Sequence, residues 1–95
     1  AFGLPLGDRP ILLAEAARMA DRADDLAAGA DIRRRLLVEY PDASEVGEAS
    51  LALARHRITE GRSSEAIRLS EELIIRQPNA AVVPEARLEL ERLRS

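Results

Sequence analysis

The sequence predicts an all-α fold: an αα-hairpin solenoid of two helical hairpins closed by a C-terminal capping helix. Three observations predict it. The chain repeats itself at an offset of 37 residues, and a fixed period of this size marks a stacked repeat architecture. Each repeat holds two amphipathic stretches of helical period separated by turn-forming residues. The composition is helix-forming, with 17 Ala and 14 Leu against one Phe, one Tyr and no Trp, which leaves little for a β-sheet to use. At 95 residues, 46% of them hydrophobic, the chain can form one small domain but not two independent cores.

The repeat aligns punctuation as well as apolar residues. Pro10, Gly47 and Pro84 stand 37 apart, each just before a helical stretch: ILLAEAARMA, EASLALARHR and EARLELERLR. Within these stretches Ala14 aligns with Leu51 and Leu88, Ala16 with Leu53 and Leu90, and Arg18 with Arg55 and Arg92. The second stretches align as ADIRRRLLVEYP (30–41) and IRLSEELIIRQP (67–78). These match Ile32 with Leu69, Leu36 with Leu73, Leu37 with Ile74, Val38 with Ile75 and Pro41 with Pro78.

In chain order, residues 1–9 (AFGLPLGDR) belong to no repeat and read as an extended arm. Its apolar residues Phe2, Leu4 and Leu6 are expected to contact either the first hairpin or a partner. Helices are predicted at 10–22 and 26–39, with Asp24 or Asp25 as the cap between them, and these make the first repeat, 10–41. The second repeat, 42–78, has helices at 44–59 and 63–76. Asp42 and Glu45 have capping-box spacing. Gly61 supplies a helix stop, Ser63 or Ser64 a cap, and Glu65 a carboxylate in the first turn. Asn79 plays a similar part before a last helix at 82–94, polar on almost every side as a capping helix (79–95) should be. A lone hairpin cannot bury its apolar stripe, so stacking makes the core. Abundant alanine lets neighbouring helices approach closely.

These residues resemble the tetratricopeptide repeats. With Gly61 as the turn glycine, Leu53 and Ala54 stand at the large and small positions of the first helix, Ala66 at the small position of the second and Pro78 at the closing proline. The unit is longer than the usual length of about 34 residues. Its joint, YPDAS followed by EA, is similar to that of the C-terminal domain of the bacterial cell-division coordinator type and related envelope proteins. The resemblance covers residues 10–95. Ser50 and Arg57 replace first-helix aromatics, Ser70 replaces a second-helix Phe, Gly29 and Arg33 depart from the pattern in the first repeat, and Glu91 occupies a small-residue position.

The charge pattern narrows the function classes. A net charge of −3 and two aromatics in all argue against nucleic acid, including the single-stranded RNA that other helical repeats read. No cysteine is present, so thiolate metal sites and disulfides are excluded and the redox compartment is left open. All basic residues are arginine, which reads mainly as the composition of a GC-rich bacterial genome. No apolar run approaches the roughly 18 residues of a membrane span, and the first residues lack the basic flank of a signal peptide. His56 has no second imidazole or thiol for a metal site and no triad spacing. The aspartates of DRADDLAAGAD lack calcium-loop spacing and read as caps and solvated charge. Arg33, Arg34 and Arg35 read as a solvated patch. We therefore expect no catalysis, no cofactor and no metal.

The sharper candidate is the arginine ladder of Arg18, Arg55 and Arg92. The resemblance implies that first helices line a concave groove, placing Leu51, Ile58 and Leu88 beside those arginines as an apolar floor for a protein or acidic peptide. The alternative is internal: Glu48 and Glu85 also recur at 37 and can pair with arginines of neighbouring helices. A scaffold of this kind binds peptides, or serves as an accessory subunit of a larger complex, one that associates with a membrane without spanning it. The resemblance alone places it in the bacterial periplasm or envelope rather than the cytoplasm.

Overall fold

A computed structural model describes residues 9–95. Five helices follow one another: α1 (Arg9–Arg22), α2 (Leu26–Glu39), α3 (Val46–Thr59), α4 (Ser63–Arg76) and α5 (Val83–Arg94). No strand occurs among the described residues. Helices adjacent in sequence pack together, α1 on α2, α2 on α3, α3 on α4 and α4 on α5. The result is a flattened stack of 49 × 30 × 18 Å. The expected contacts of Phe2, Leu4 and Leu6 lie outside the described residues.

Local chemistry explains where the helices begin and end, and differs in places from expectation. After α1, Asp24 takes a left-handed conformation (φ 62°) and Asp25 caps α2 by accepting a hydrogen bond from the Ala28 amide at 3.1 Å. After α3, Gly61 turns the chain at φ 77°, a conformation glycine adopts without penalty. The serine cap of α4 does not form, since both serines lie inside the helix and Arg62 holds the cap position without a side-chain cap bond. Arg62 instead donates to the Glu65 carboxylate at 2.6 and 3.0 Å, and that bond raises its pKa above the usual arginine value. The expected capping box at Asp42 and Glu45 is also missing. Residues 41–45 form successive turns, and Glu45 has entered helical geometry, so α3 starts two residues later than its apolar pattern suggests. Asn79 likewise lies in a turn ahead of α5, whose cap position is Val82.

The core runs through the middle of the stack. Leu36 and Leu53 are the largest fully buried side chains, and Ala17, Ala66 and Ala86 are wholly enclosed. Leu13, Ala14 and Tyr40 pack against the cluster of Leu36, Val46 and Ala49. The Gln77 amide donates to the Pro41 and Ala43 carbonyls at 3.3 and 3.1 Å, tying the end of the second hairpin to the loop after the first. Gly29 allows a close crossing of α1 and α2: a Cβ there would stand 2.6 Å from Asp21 Oδ1.

Candidate functional site on the first-helix face

Because α1, α3 and α5 are the first helices of successive units, their equivalent residues recur along one side of the stack, and the arginine ladder recurs with them. The ladder is wired to the repeat. Arg18 lies 3.1 Å from Glu15 on its own helix and 3.7 Å from Glu48 on α3. Arg55 lies 3.4 Å from Glu85 and 3.5 Å from Glu89 on α5. The bridges Arg18–Glu48 and Arg55–Glu85 are the same interaction displaced by one repeat, each joining a first helix to the next. All four groups are substantially exposed, so such pairs contribute only about 0–1 kcal/mol each.

Arg92 ends the series. Among the described residues its guanidinium approaches only Glu89 of its own helix, at 3.7 Å, and stays 75% exposed. One turn earlier, Leu88 is 58% exposed. Ile58 is half-buried. Leu51 is different: it is 5% exposed and belongs to the core, because α3 is the middle helix of the stack with neighbours on both sides. The apolar floor expected beside the ladder is thus reduced to Leu88 with part of Ile58.

Sequence reasoning missed three further features. Arg33, set aside as a solvated cation, reaches from α2 to Asp21 on α1 in a two-pronged bond of 3.1 and 2.6 Å, and its guanidinium holds the Asp21 carboxyl below the usual carboxylate range. The absence of a side chain at Gly29 was the available signal. Arg57 replaces the expected aromatic by lying buried, with its fork on Glu60 at 2.9 Å and on Glu65 of α4 at 3.2 Å. That contact depresses the Glu60 pKa. His56 sits half-buried 3.6 Å from Glu60, one turn on at the end of the same helix.

The third feature is a contrast between equivalent positions. Gly47, Ser50, Leu51, Ala54 and Arg57 of α3 are all buried; Pro84, Arg87, Leu88, Glu91 and Arg94, one repeat later, are all exposed. Beside the exposed set, α4 and α5 form a trough of about 720 Å³ lined by Ile74, Ile75, Arg87, Leu90, Glu91 and Arg94. Its rim is fixed by an ion pair between Arg94 and Glu71.

Among the described residues no cluster of three or more His, Cys, Asp or Glu is placed to hold a metal ion, and no helix is long and apolar enough to cross a membrane. No family model matches the chain, and comparison with curated proteins and with solved structures likewise finds no match.

Proposed function

We propose that this chain is a non-catalytic scaffold of tetratricopeptide type that binds another protein, through an acidic or carboxylate-bearing segment, on its first-helix face. One observation carries the reading: Arg92 and Leu88, adjacent on one face of α5, present an exposed guanidinium beside an exposed apolar side chain. A carboxylate seated there would accept a forked pair from Arg92 while a neighbouring apolar group covers Leu88. Arg18 and Arg55, held by carboxylates of the following helices, keep the stack in register. A rigid stack loses little conformational entropy on binding. A single short peptide would bind at about micromolar strength.

A second reading, an accessory subunit of a larger assembly, is favoured by the internal pairing of Arg18 and Arg55, which leaves two rungs of the ladder already engaged. Quantitative pull-down from native extract, membranes included, separates the two. The binding reading expects a partner retained by wild type and by Arg18→Ala but lost from the Leu88→Asp, Arg92→Ala double variant. A partner held equally by all three moves the function off this face and supports the accessory subunit.

A further inference from the structure

We propose that the second-helix side of the stack is a self-recognition surface. A second copy of this chain docks on it face to face about a two-fold axis parallel to the helices, so that α2 of each protomer lies on α4 of its partner. This goes beyond the ladder reading, which concerns the first helices and shares no residue with it.

Both helices present a seam. α2 and α4 begin and end one repeat of 37 residues apart, so equivalent residues stand at equivalent levels of the two helices. Ala27, Asp31, Arg34 and Val38 follow at spacings of four, three and four, as do Ser64, Arg68, Glu71 and Ile75. That spacing draws one line along a helix, the line through which two parallel helices meet level by level. Every residue of both seams is exposed except Glu71, which is half-buried. Val38 at 72% and Ile75 at 78% are the two most exposed large apolar side chains among the described residues.

The charges say which partner fits. Asp31 becomes Arg68 one repeat later and Arg34 becomes Glu71, so the seams carry opposite signs at both charged levels and apolar residues at the next. The flanks invert in the same way, Arg35 to Glu72 and Glu39 to Arg76. Nothing within the chain uses this inversion. α2 and α4 each pack on α3; among the described residues their ion pairs run to Asp21, within α2, to α3 and its turn, to Asp42 and to Arg94, and none joins α2 to α4. Asp31, Arg34 and Arg68 are in none of them, and Glu71 meets Arg94 through Oε2 alone. Laid in parallel, two copies of α2 or two of α4 would set like charges together, which disfavours both pairings. α2 laid on α4 instead sets Asp31 on the partner's Arg68, Arg34 on the partner's Glu71 and Val38 on the partner's Ile75. A two-fold axis delivers that pairing twice. With helices of 14 residues, each roughly 21 Å long, the interface falls at the low end of specific ones, near ~1,200 Å². The dimer is therefore weak, with a Kd of about 10–100 μM.

Sedimentation velocity of the chain over a concentration series tests this. Wild type is expected to show a monomer–dimer equilibrium that weakens at least tenfold, roughly, between about 50 and about 500 mM salt. Val38→Asp, at an exposed position that tolerates the change, should leave only monomer, whereas the Leu88→Asp, Arg92→Ala double variant should dimerise as wild type does. The decisive variants are Asp31→Arg and Arg68→Asp, each at an exposed residue. Either alone sets like charges at two contacts and should be monomeric. Mixed together, the two should form a heterodimer with opposite charges restored at both contacts, and the chain carrying both changes should dimerise with itself. Circular dichroism confirms that each variant keeps its helices. Wild type that stays monomeric up to about 1 mM at low salt, or a dimer that survives Val38→Asp, overturns the proposal. So does a dimer formed by either single charge variant, or a mixture of the two that stays monomeric. A dimer dissolved by the Leu88→Asp, Arg92→Ala variant would place self-association on the first-helix side, with the same consequence. No substitution on the second-helix side touches Arg92 or Leu88, so failure here leaves the ladder reading standing.

Discussion

α3 and α5 occupy equivalent places one repeat apart and live in different environments. On α3, Leu53 is 2% exposed and Arg57 lies buried with its fork closed on two carboxylates; on α5, Leu90 is 7% exposed but edges an open trough, and Arg94 stands at the rim. The sequence follows that difference. Ser50 and Ala54, which allow α4 to lie close, become Arg87 and Glu91, while Leu53 and its partner Leu90 stay the same. Retention of the large apolar residue with replacement of the small ones teaches that α5 packs against α4 through Leu90 and carries charge where α3 carries close contacts.

The largest test of this difference compares Leu53→Ala with Leu90→Ala. Removing a fully enclosed leucine leaves a cavity its neighbours cannot close, and should cost about 3 kcal/mol. That is a large share of the roughly 5–15 kcal/mol available to a domain of this kind. Leu90→Ala opens into the trough, where solvent and neighbouring side chains relax into the space, and should cost about half as much. Urea unfolding followed by circular dichroism measures both. Equal losses would mean that α5 is as enclosed as α3 and that the trough closes in solution.

The next test concerns the two arginines. Arg57→Ala removes a buried aliphatic stem and its forked contacts, with an expected cost of about 1–2 kcal/mol, whereas Arg94→Ala should fall within about 0.5 kcal/mol as an exposed rim substitution. Acid adds a second readout. Arg57 holds the Glu60 pKa below its ordinary value of 4.5 in the folded state. Its contribution is therefore fully present above that ordinary value and is lost as pH falls through the lower folded value. Arg57→Ala should flatten that part of the acid limb, and Arg94→Ala should leave it unchanged.

How far these features were legible in the sequence depended on whether they repeat. The helices were readable because apolar spacing and punctuation recur at 37 residues, and Gly61 and Asp25 mark their turns by local chemistry alone. Glu48 and Glu85 recur with the arginines, so the cross-helix pairing could be anticipated as one of two alternatives. Contacts between helices that occur in only one unit were not readable. Asp21 and Arg33 meet only because Gly29 leaves room between α1 and α2. The burial of Leu51 depends on its place in the middle of the stack rather than on its own helix. Start signals misled where two competed: Arg62 gripping Glu65 displaced the serines from the cap of α4, and the turns at 41–45 drew Asp42 and Glu45 out of capping geometry.

The smallest test addresses one position that the two hairpins solve differently. Where the first hairpin sets Arg33 against Asp21, the second has Ser70 and Ile58 at the equivalent places. Ser70 is 2% exposed, and its hydroxyl has no hydrogen-bond partner among the described residues. A buried hydroxyl without a partner bears a desolvation cost that no bond offsets, and serine is also a weaker helix former than alanine. Ser70→Ala should therefore stabilise the protein by about 0.5–1 kcal/mol, raising the urea midpoint with an unchanged slope. A loss of stability instead would show that the hydroxyl bonds back to a carbonyl of its own helix. The second hairpin would then be held at this crossing by a polar contact, as the first is held by Asp21 and Arg33.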